Sequence, residues 1–169
     1  MALLPIIVAP DPRLNVKCED VDLVTDEHRR LMDNMLETMY DAPGIGLAAP
    51  QVGITKRIIV VDISTSKGAN SSYKMINPMI TWYSDQLADY EEGCLSLPEQ
   101  YAQVKRPDQI YLSYVDPDGV TQDLKTSGIL ATCIQHEIDH LDGRLFVDHI
   151  SKLRRDLIIR KLKKYKAAL

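Results

Sequence analysis

The sequence predicts an α+β fold, and three observations predict it. The middle of the chain holds β-rich runs: "RIIVVDI" (57–63), "SYKMINPMITWYS" (72–84) and "QIYLSYVDPDGVTQDL" (109–124). From about Ser127 the apolar spacing becomes helical and stays so to the C-terminal region. The runs do not alternate strand with helix as a βαβ sheet requires, so strands and helices segregate. At 169 residues the chain is long enough to bury a real core. No repeat, low-complexity linker or composition break divides it, so one domain, 1–169, is expected.

Each element follows from local chemistry. "MALLPIIVAPDPRL" opens the chain as an extended arm, since prolines at 5, 10 and 12 oppose a helix. It is short and lacks a basic first segment, so it is a poor signal peptide. Asp11 then caps a short helix with Pro12 at its first position. Thr25 caps a second helix, with Asp26 and Glu27 in its first turn. Leu31, Met32, Met35, Leu36 and Met39 form its apolar stripe.

Residues 57–63 read as a buried strand, and residues 72–84 as one or two strands broken near Asn77-Pro78. Asp116-Pro117-Asp118-Gly119 is a turn between the two halves of a hairpin. A helix follows from about Ser127 to Asp142, with Gly143 placed to end it. Ser151 caps a last helix, whose expected stripe is Leu153, Leu157, Ile158 and Leu162 or Tyr165.

The composition, 45% apolar and 26% charged, excludes a disordered chain, and no apolar run approaches the roughly 20 residues that span a bilayer. Three cysteines, Cys18, Cys94 and Cys133, make an odd count without disulfide spacing, which fits a reducing compartment. The net charge of -4 hides an asymmetry. Residues 151–169 carry eight Lys/Arg against Asp156 alone, while the first 150 residues carry 12 basic and 23 acidic side chains, net −11. An acidic body with a basic tail points to a partner for the tail.

The chemistry concentrates in "CIQHEIDHLDG" (133–143). His136 and His140, four residues apart, project from one helical face, so their imidazoles converge on a single ion. Glu137 is turned by about 100° from His136, beside the ion rather than on it, where it can take a proton from water. Ile129, Leu130, Cys133 and Ile134 make the preceding turns apolar, so the helix is central. An ordinary exposed polar turn is the bland alternative, and burying two histidines and a glutamate without function would cost desolvation energy.

A third ligand is needed. His149 lies nine residues past His140, but no further metallopeptidase pattern accompanies it. Cys133 and Cys94 remain. Three ligands from consecutive turns of one straight helix are hard to place around a tetrahedral ion, so Cys94 in "EEGCLSLPE" is favoured and Cys133 lines the cavity. Gly93, just before Cys94, reads as a position of unusual backbone angle. "PGIGLAAPQVG" (43–53) is not a dinucleotide loop: it lacks G-x-G-x-x-G and follows a helix. Its small residues indicate a backbone passing close to a neighbour, with Gln51 either functional or an ordinary surface glutamine.

Together, "GIGLAAPQ" (44–51), "EGCLS" (92–96) and "HEIDH" (136–140), in this order, resemble peptide deformylase. The likeness extends over nearly the whole chain. It implies antiparallel β-sheets packed around a central metal-binding helix, with a C-terminal helix. It implies removal of the N-formyl group from the N-terminal methionine of newly synthesised polypeptides, releasing formate. The metal ligands carry over to Cys94, His136 and His140, the acid/base to Glu137, and the oxyanion donors to Gln51 and the Leu95 N–H. Gly46 is grouped with these catalytic residues. The methionine pocket carries over to Ile45, Tyr90, Ile129 and Cys133, with His136. One divalent ion is implied, natively Fe(2+), with Zn(2+), Ni(2+) or Co(2+) able to take its place.

One departure stands out: Tyr101 lies about where some relatives carry an arginine that contacts the peptide backbone. Arg106 either pairs with Glu92 as a brace behind Cys94 or is an ordinary surface arginine. The partners implied are N-formyl-methionyl nascent peptides and the ribosome, contacted through the basic C-terminal helix. No membrane and no sequence-specific nucleic acid are expected, and bacterial cytoplasm is the expected location. Two other functions compete: a conventional metallopeptidase, on H-E-x-x-H alone, and a closed structural metal site or inactive binding module, which would need Cys133 as a fourth ligand.

Overall fold

The computed structural model describes residues 2–64 and 71–169; the first residue of the N-terminal arm lies outside them. Among the described residues, three α-helices pack against two antiparallel sheets, matching the α+β expectation. Helix α1 spans Asp26–Asp41, α2 Gly128–Leu141 and α3 Lys152–Ala167. A five-stranded sheet runs in the order β1 (Gly46–Ala48), β2 (Ile58–Val61), β3 (Tyr73–Tyr83), β6 (Gln109–Val115), β7 (Thr121–Ser127). A second sheet is the hairpin of β4 (Leu87–Cys94) and β5 (Leu97–Pro107).

The expected elements form for the expected reasons. The short N-terminal helix is a 3-10 turn, Pro12–Asn15, and the Asp11 side chain accepts from the Arg13 N–H at 2.9 Å. Thr25 is the N-cap of α1, and its own N–H donates to His28 Nδ1 at 3.0 Å. Met32, Met35, Leu36 and Met39 are buried on one face of α1, as the spacing required. All four residues of β2 are buried, so its continuous apolar run is covered on both faces. Each such Ile or Val contributes about 1.5–3 kcal/mol through burial.

Asn77-Pro78 bends β3 without ending it. Asn77 is left-handed (φ 51) and the pairing of β3 with β6 slips between Ile76 and Met79. The slip accommodates Pro78, which has no N–H for the ladder. The Asn77 side chain is meanwhile spent on Val21: Oδ1 accepts from its N–H and Nδ2 donates to its carbonyl, both at 2.8 Å.

Helix α2 is central. Ten of its 14 residues are buried, which an amphipathic surface helix would not show. Ser127 is its N-cap, and Gly143 ends it in the left-handed region (φ 76). A Cβ at Gly143 would also come within 2.7 Å of the Asn15 backbone. The apolar core lies on both sides of α2: Ile59, Val61, Met75, Ile110 and Leu112 meet it from the large sheet, while Leu97, Ala102, Val104, Phe146 and Leu162 join the small sheet to α3.

Two expectations are corrected. Residues 87–107 form a two-stranded hairpin that the strand assignments above do not include, although a strand was expected to bring Cys94 to the helix. In α3 the buried stripe is Ile158 and Leu162 only; Leu153, Leu157 and Tyr165 are exposed. One turn of α3 meets the small sheet, so a two-residue seam suffices. Among the described residues, no helix is long and apolar enough to cross a membrane.

Candidate metal centre and substrate cleft

Three donors from two elements converge. Cys94 ends β4, and His136 and His140 stand one turn apart on α2. Their ligand atoms all lie within 4.8 Å of one another, with Cys94 Sγ 3.3 Å from His140 Nε2. A tetrahedral ion with bonds of about 2.0–2.3 Å has donor separations of about 3.3–3.8 Å; the Cys94–His140 pair meets that spacing, and all three donors are close enough together to hold an ion. The site is buried: His140 is 1% exposed and His136 8%. Burial holds His140 well below the ordinary histidine range, in the neutral form that ligates.

Cys133 stands apart from this group. Its Sγ approaches the Ile45 carbonyl at 3.6 Å, and burial pushes its thiol well up. It lines the cavity as a small wall, as expected, and among the described residues it does not join the donors as a fourth ligand. The choice of Cys94 over Cys133 follows from the hairpin, which brings a strand end across the face of α2.

Glu137 lies beside the donors, its Oε2 3.9 Å from His136 Nε2. Burial pushes its carboxyl up to about 7. Its Oε1 is buried and finds no hydrogen-bond partner among the described residues. An orphan oxygen of this kind points to an absent water or ion. Gly46 makes the room: a Cβ there would meet Glu137 Oε2 at 2.5 Å and Cys133 Sγ at 2.9 Å. The backbone of "GIGLAAPQ" thus passes close to α2, as its small residues indicated.

Gln51 is 1% exposed, so the surface reading of it fails. Its Oε1 accepts from the Ala48 N–H at 2.9 Å, and its Nε2 donates to Ser96 Oγ at 3.0 Å and approaches Cys94 Sγ at 3.4 Å. These partners fix which end of the amide faces the donors. Sequence reasoning passed over Ser96, although it closes the "EGCLS" block.

Behind the donors sits a buried ion network. Arg106 forks onto Glu92, with Nε at 2.7 Å from Oε2 and Nη2 at 3.0 Å from Oε1, so the brace is present. The same Glu92 also receives His136 Nδ1 at 2.9 Å, which orients the imidazole with Nε2 toward Cys94 and His140. Burial opposes ionisation of Glu92, but His136 and then Arg106 outweigh it and lower its pKa. Arg106 Nη1 reaches Asp139 at 2.8 Å, and Asp139 in turn meets His149 at 2.7 Å. Asp139 lies inside the H-E-x-x-H stretch, yet nothing in its spacing marked it.

The donors open onto a cleft of about 740 Å³. Ile45, Gly46, Gln51, Tyr90, Leu95, Ile129, Cys133, His136 and Glu137 all line it, with Cys94, while His140 lies behind. Ile45 and Ile129 are 45% and 49% exposed, which puts them at the mouth. Pro43, Glu91, Pro98 and Glu99 line it too and were not anticipated. Tyr101 stands 62% exposed at the rim. Its ring lies over Gly93, where a Cβ would meet Tyr101 Cε1 at 2.6 Å. Gly93 is absent from the glycines with positive φ, so its role is steric room for Tyr101 and not the unusual backbone angle expected.

Comparison with known proteins agrees with this geometry. The polypeptide deformylase family model matches residues 3–156. A peptide deformylase of Pelagibacter ubique is 50% identical over 167 residues, covering 99% of this chain and 97% of that protein. One from Agrobacterium fabrum is 49% identical over 164 residues, covering 97% and 96%. The crystal structure of peptide deformylase from Ehrlichia chaffeensis in complex with actinonin superimposes with a TM-score of 0.92, at 40% identity over 98% of both chains. On its fold, its Cys-His-His donor set and these likenesses, the chain belongs to the polypeptide deformylase family.

Proposed function

We propose that the chain removes the N-formyl group from the N-terminal methionine of newly synthesised polypeptides, with Cys94, His136 and His140 holding one divalent ion, Glu137 carrying the proton, and Gln51 with the Leu95 N–H receiving the carbonyl oxygen. The observation that carries the assignment of roles is the buried, unpartnered Glu137 Oε1 beside the three convergent donors. When bound, the ion supplies Lewis acidity, polarising a carbonyl and making water a better nucleophile near neutral pH.

The chain's own residues supply the rest. Glu137, with its carboxyl up to about 7, takes a proton from the attacking water at Oε1 and holds it. Water oxygen joins the formyl carbon, and negative charge grows on the carbonyl oxygen. Gln51 Nε2 and the Leu95 N–H face that charge, and one such donor contributes about 3–4 kcal/mol to the transition state. The carbon–nitrogen bond then breaks, Glu137 returns its proton to the departing nitrogen, and formate and a free amine leave. Gly46 keeps space for the carboxylate. Ile45, Tyr90, Ile129 and Cys133 enclose the methionine side chain.

Four finer assignments belong to the same reading. Residues 1–169 act as one catalytic domain. The native ion is Fe(2+), with Zn(2+), Ni(2+) or Co(2+) as substitutes. The protein works in the bacterial cytoplasm, and its basic α3 contacts the ribosome.

The test is formate release from a short N-formyl-methionyl peptide. The protein is purified without oxygen and loaded with Fe(II), with the unformylated peptide alongside. Stoichiometric formate with intact peptide bonds is expected, and cleavage of internal bonds would instead support the conventional metallopeptidase. Glu137→Gln should keep its metal while turnover falls about 10²–10⁴-fold. Loss of metal from that variant would overturn the role given to Glu137.

A further inference from the structure

The ion network behind α2 does not stop at Arg106. It continues from His136 through Glu92, Arg106 and Asp139 to His149, every link between 2.7 and 3.0 Å. Arg106 Nη1 and His149 Nε2 meet the same oxygen, Asp139 Oδ2. The inner members are sealed, with Arg106 4% and Glu92 6% exposed. The outer one is not: the His149 side chain is 24% exposed. His149 ends the 3-10 turn Phe146–His149, which leads into α3. The same turn lays the Phe146 ring parallel to the His136 imidazole, centroids 6.1 Å apart and planes at 23°. One short segment thus touches His136 by packing and reaches it again by a chain of hydrogen bonds.

We propose that His149 is a positioning residue for the metal centre, acting on His136 through Asp139, Arg106 and Glu92. The inference rests on Cys94, His136 and His140 being the ligands. A guanidinium is rigid and planar, so its three bonded nitrogens share one orientation. Two are given to Glu92 and one to Asp139. Glu92 alone leaves the fork able to swing with the carboxylate, and the bond to Asp139 removes that freedom. Asp139 is held only if its own side chain is fixed. Its Oδ2 has two donors, and His149 is the one that comes from outside the network's core. Without it, Asp139 can turn toward solvent, Arg106 follows, and the angle between Glu92 and His136 Nδ1 loosens. Partners of metal-bound histidines tune affinity in this way.

A purely structural role for the His149–Asp139 pair, as a tie beneath α3, predicts lower stability and an unchanged metal site. The experiment separates the two. Wild type, His149→Ala and His149→Gln are loaded with Co(II). Metal release to a chelator, the Co(II) absorption bands, kcat and KM, and the thermal midpoint of each metal-free protein are measured.

In His149→Ala, metal release about fivefold faster is expected, less than the about 10–100-fold of a direct partner such as Glu92, because His149 stands three links beyond it. The Co(II) bands should shift, and kcat should fall with KM held. His149→Gln restores both, because its amide can donate to Asp139. In an Asp139→Asn background, His149→Ala adds nothing further. Release and spectra equal to wild type would overturn the proposal. So would faster release that Gln fails to restore and that follows the thermal midpoint. A wild-type chain that takes up no metal overturns the ligand assignment itself, an outcome distinct from both.

Discussion

His136 Nδ1 lies 2.9 Å from Glu92 Oε1, so the imidazole is anchored on the side away from the metal donors. The anchor depends on Arg106, which neutralises Glu92 and is itself 4% exposed. Removing the guanidinium leaves buried Glu92 with His136 alone and half-buried Asp139 with His149 alone. Breaking a buried ion pair from one side costs about 3–5 kcal/mol. Arg106→Ala should therefore lower the urea midpoint of the metal-free protein by a corresponding amount. Arg106→Lys keeps the charge without the fork and should fall between. An Arg106→Ala protein as stable as wild type would show that the brace carries no weight.

Gly46 offers a sharper test of the cleft. A methyl group there meets Glu137 Oε2 at 2.5 Å and Cys133 Sγ at 2.9 Å, nearer than any of the three metal donors. Gly46→Ala should displace the carboxylate and leave the ion in place. A misplacement of about 1 Å costs about 10²-fold in rate, so kcat should fall by that order while bound metal stays at one per chain. A kcat within twofold of wild type would mean that Glu137 has another place to stand.

Asp139 links stability to pH. Burial raises its pKa, but His149 and Arg106 outweigh that and bring the carboxyl down to about 2. The folded value lies below the ordinary 3.8, so the folded state favours the ionised form. That contribution is fully present above about pH 4 and is lost as pH falls toward 2. It amounts to about 2 kcal/mol at neutral pH. The stability difference between wild type and Asp139→Asn, from denaturant curves of metal-free protein, should be largest at pH 6 and shrink toward pH 2. A difference constant with pH would remove Asp139 as the source.

What the sequence disclosed followed locality. The β6–β7 hairpin was legible because its turn is written in four consecutive residues, and Asp116 Oδ1 accepts from the Asp118 and Val120 N–H groups. The bounds of α2 were legible through Ser127 and Gly143, and the histidine pair through its helical spacing. The β4–β5 hairpin was not. In β5 the inward residues are Ala102, Val104 and Arg106, and a buried arginine on the core face breaks the apolar alternation that marks a strand. Arg106 is buried because Glu92 and Asp139 wait for it, and both lie on other elements, β4 and α2. The link from Glu92 to His136 spans 44 residues, and no spacing rule reaches so far. The α3 stripe was overread for a related reason: helical periodicity says which residues share a face, not how much of that face a neighbour covers.

The basic tail supplies the last prediction, and the fold dictates how it must be tested. Truncation after Lys161 would remove Leu162, which is fully buried against the small-sheet core with Ile158. Such a protein would lose packing as well as charge, and weaker binding would mean nothing. Lys163, Lys164 and Lys166 are exposed, so their charge can be changed without touching that seam. If α3 contacts ribosomal phosphates, the triple variant Lys163→Gln, Lys164→Gln and Lys166→Gln should bind ribosomes more weakly at low salt. Each lost phosphate contact reduces the slope of log K against log salt by about 0.7–0.9, so the slope should flatten by about 2–3. Turnover of a short N-formyl-methionyl peptide should stay within twofold, because none of the three lines the cleft. Ribosome affinity and salt slope equal to wild type would take the tail out of the contact, and the excess charge would then be a solvated face.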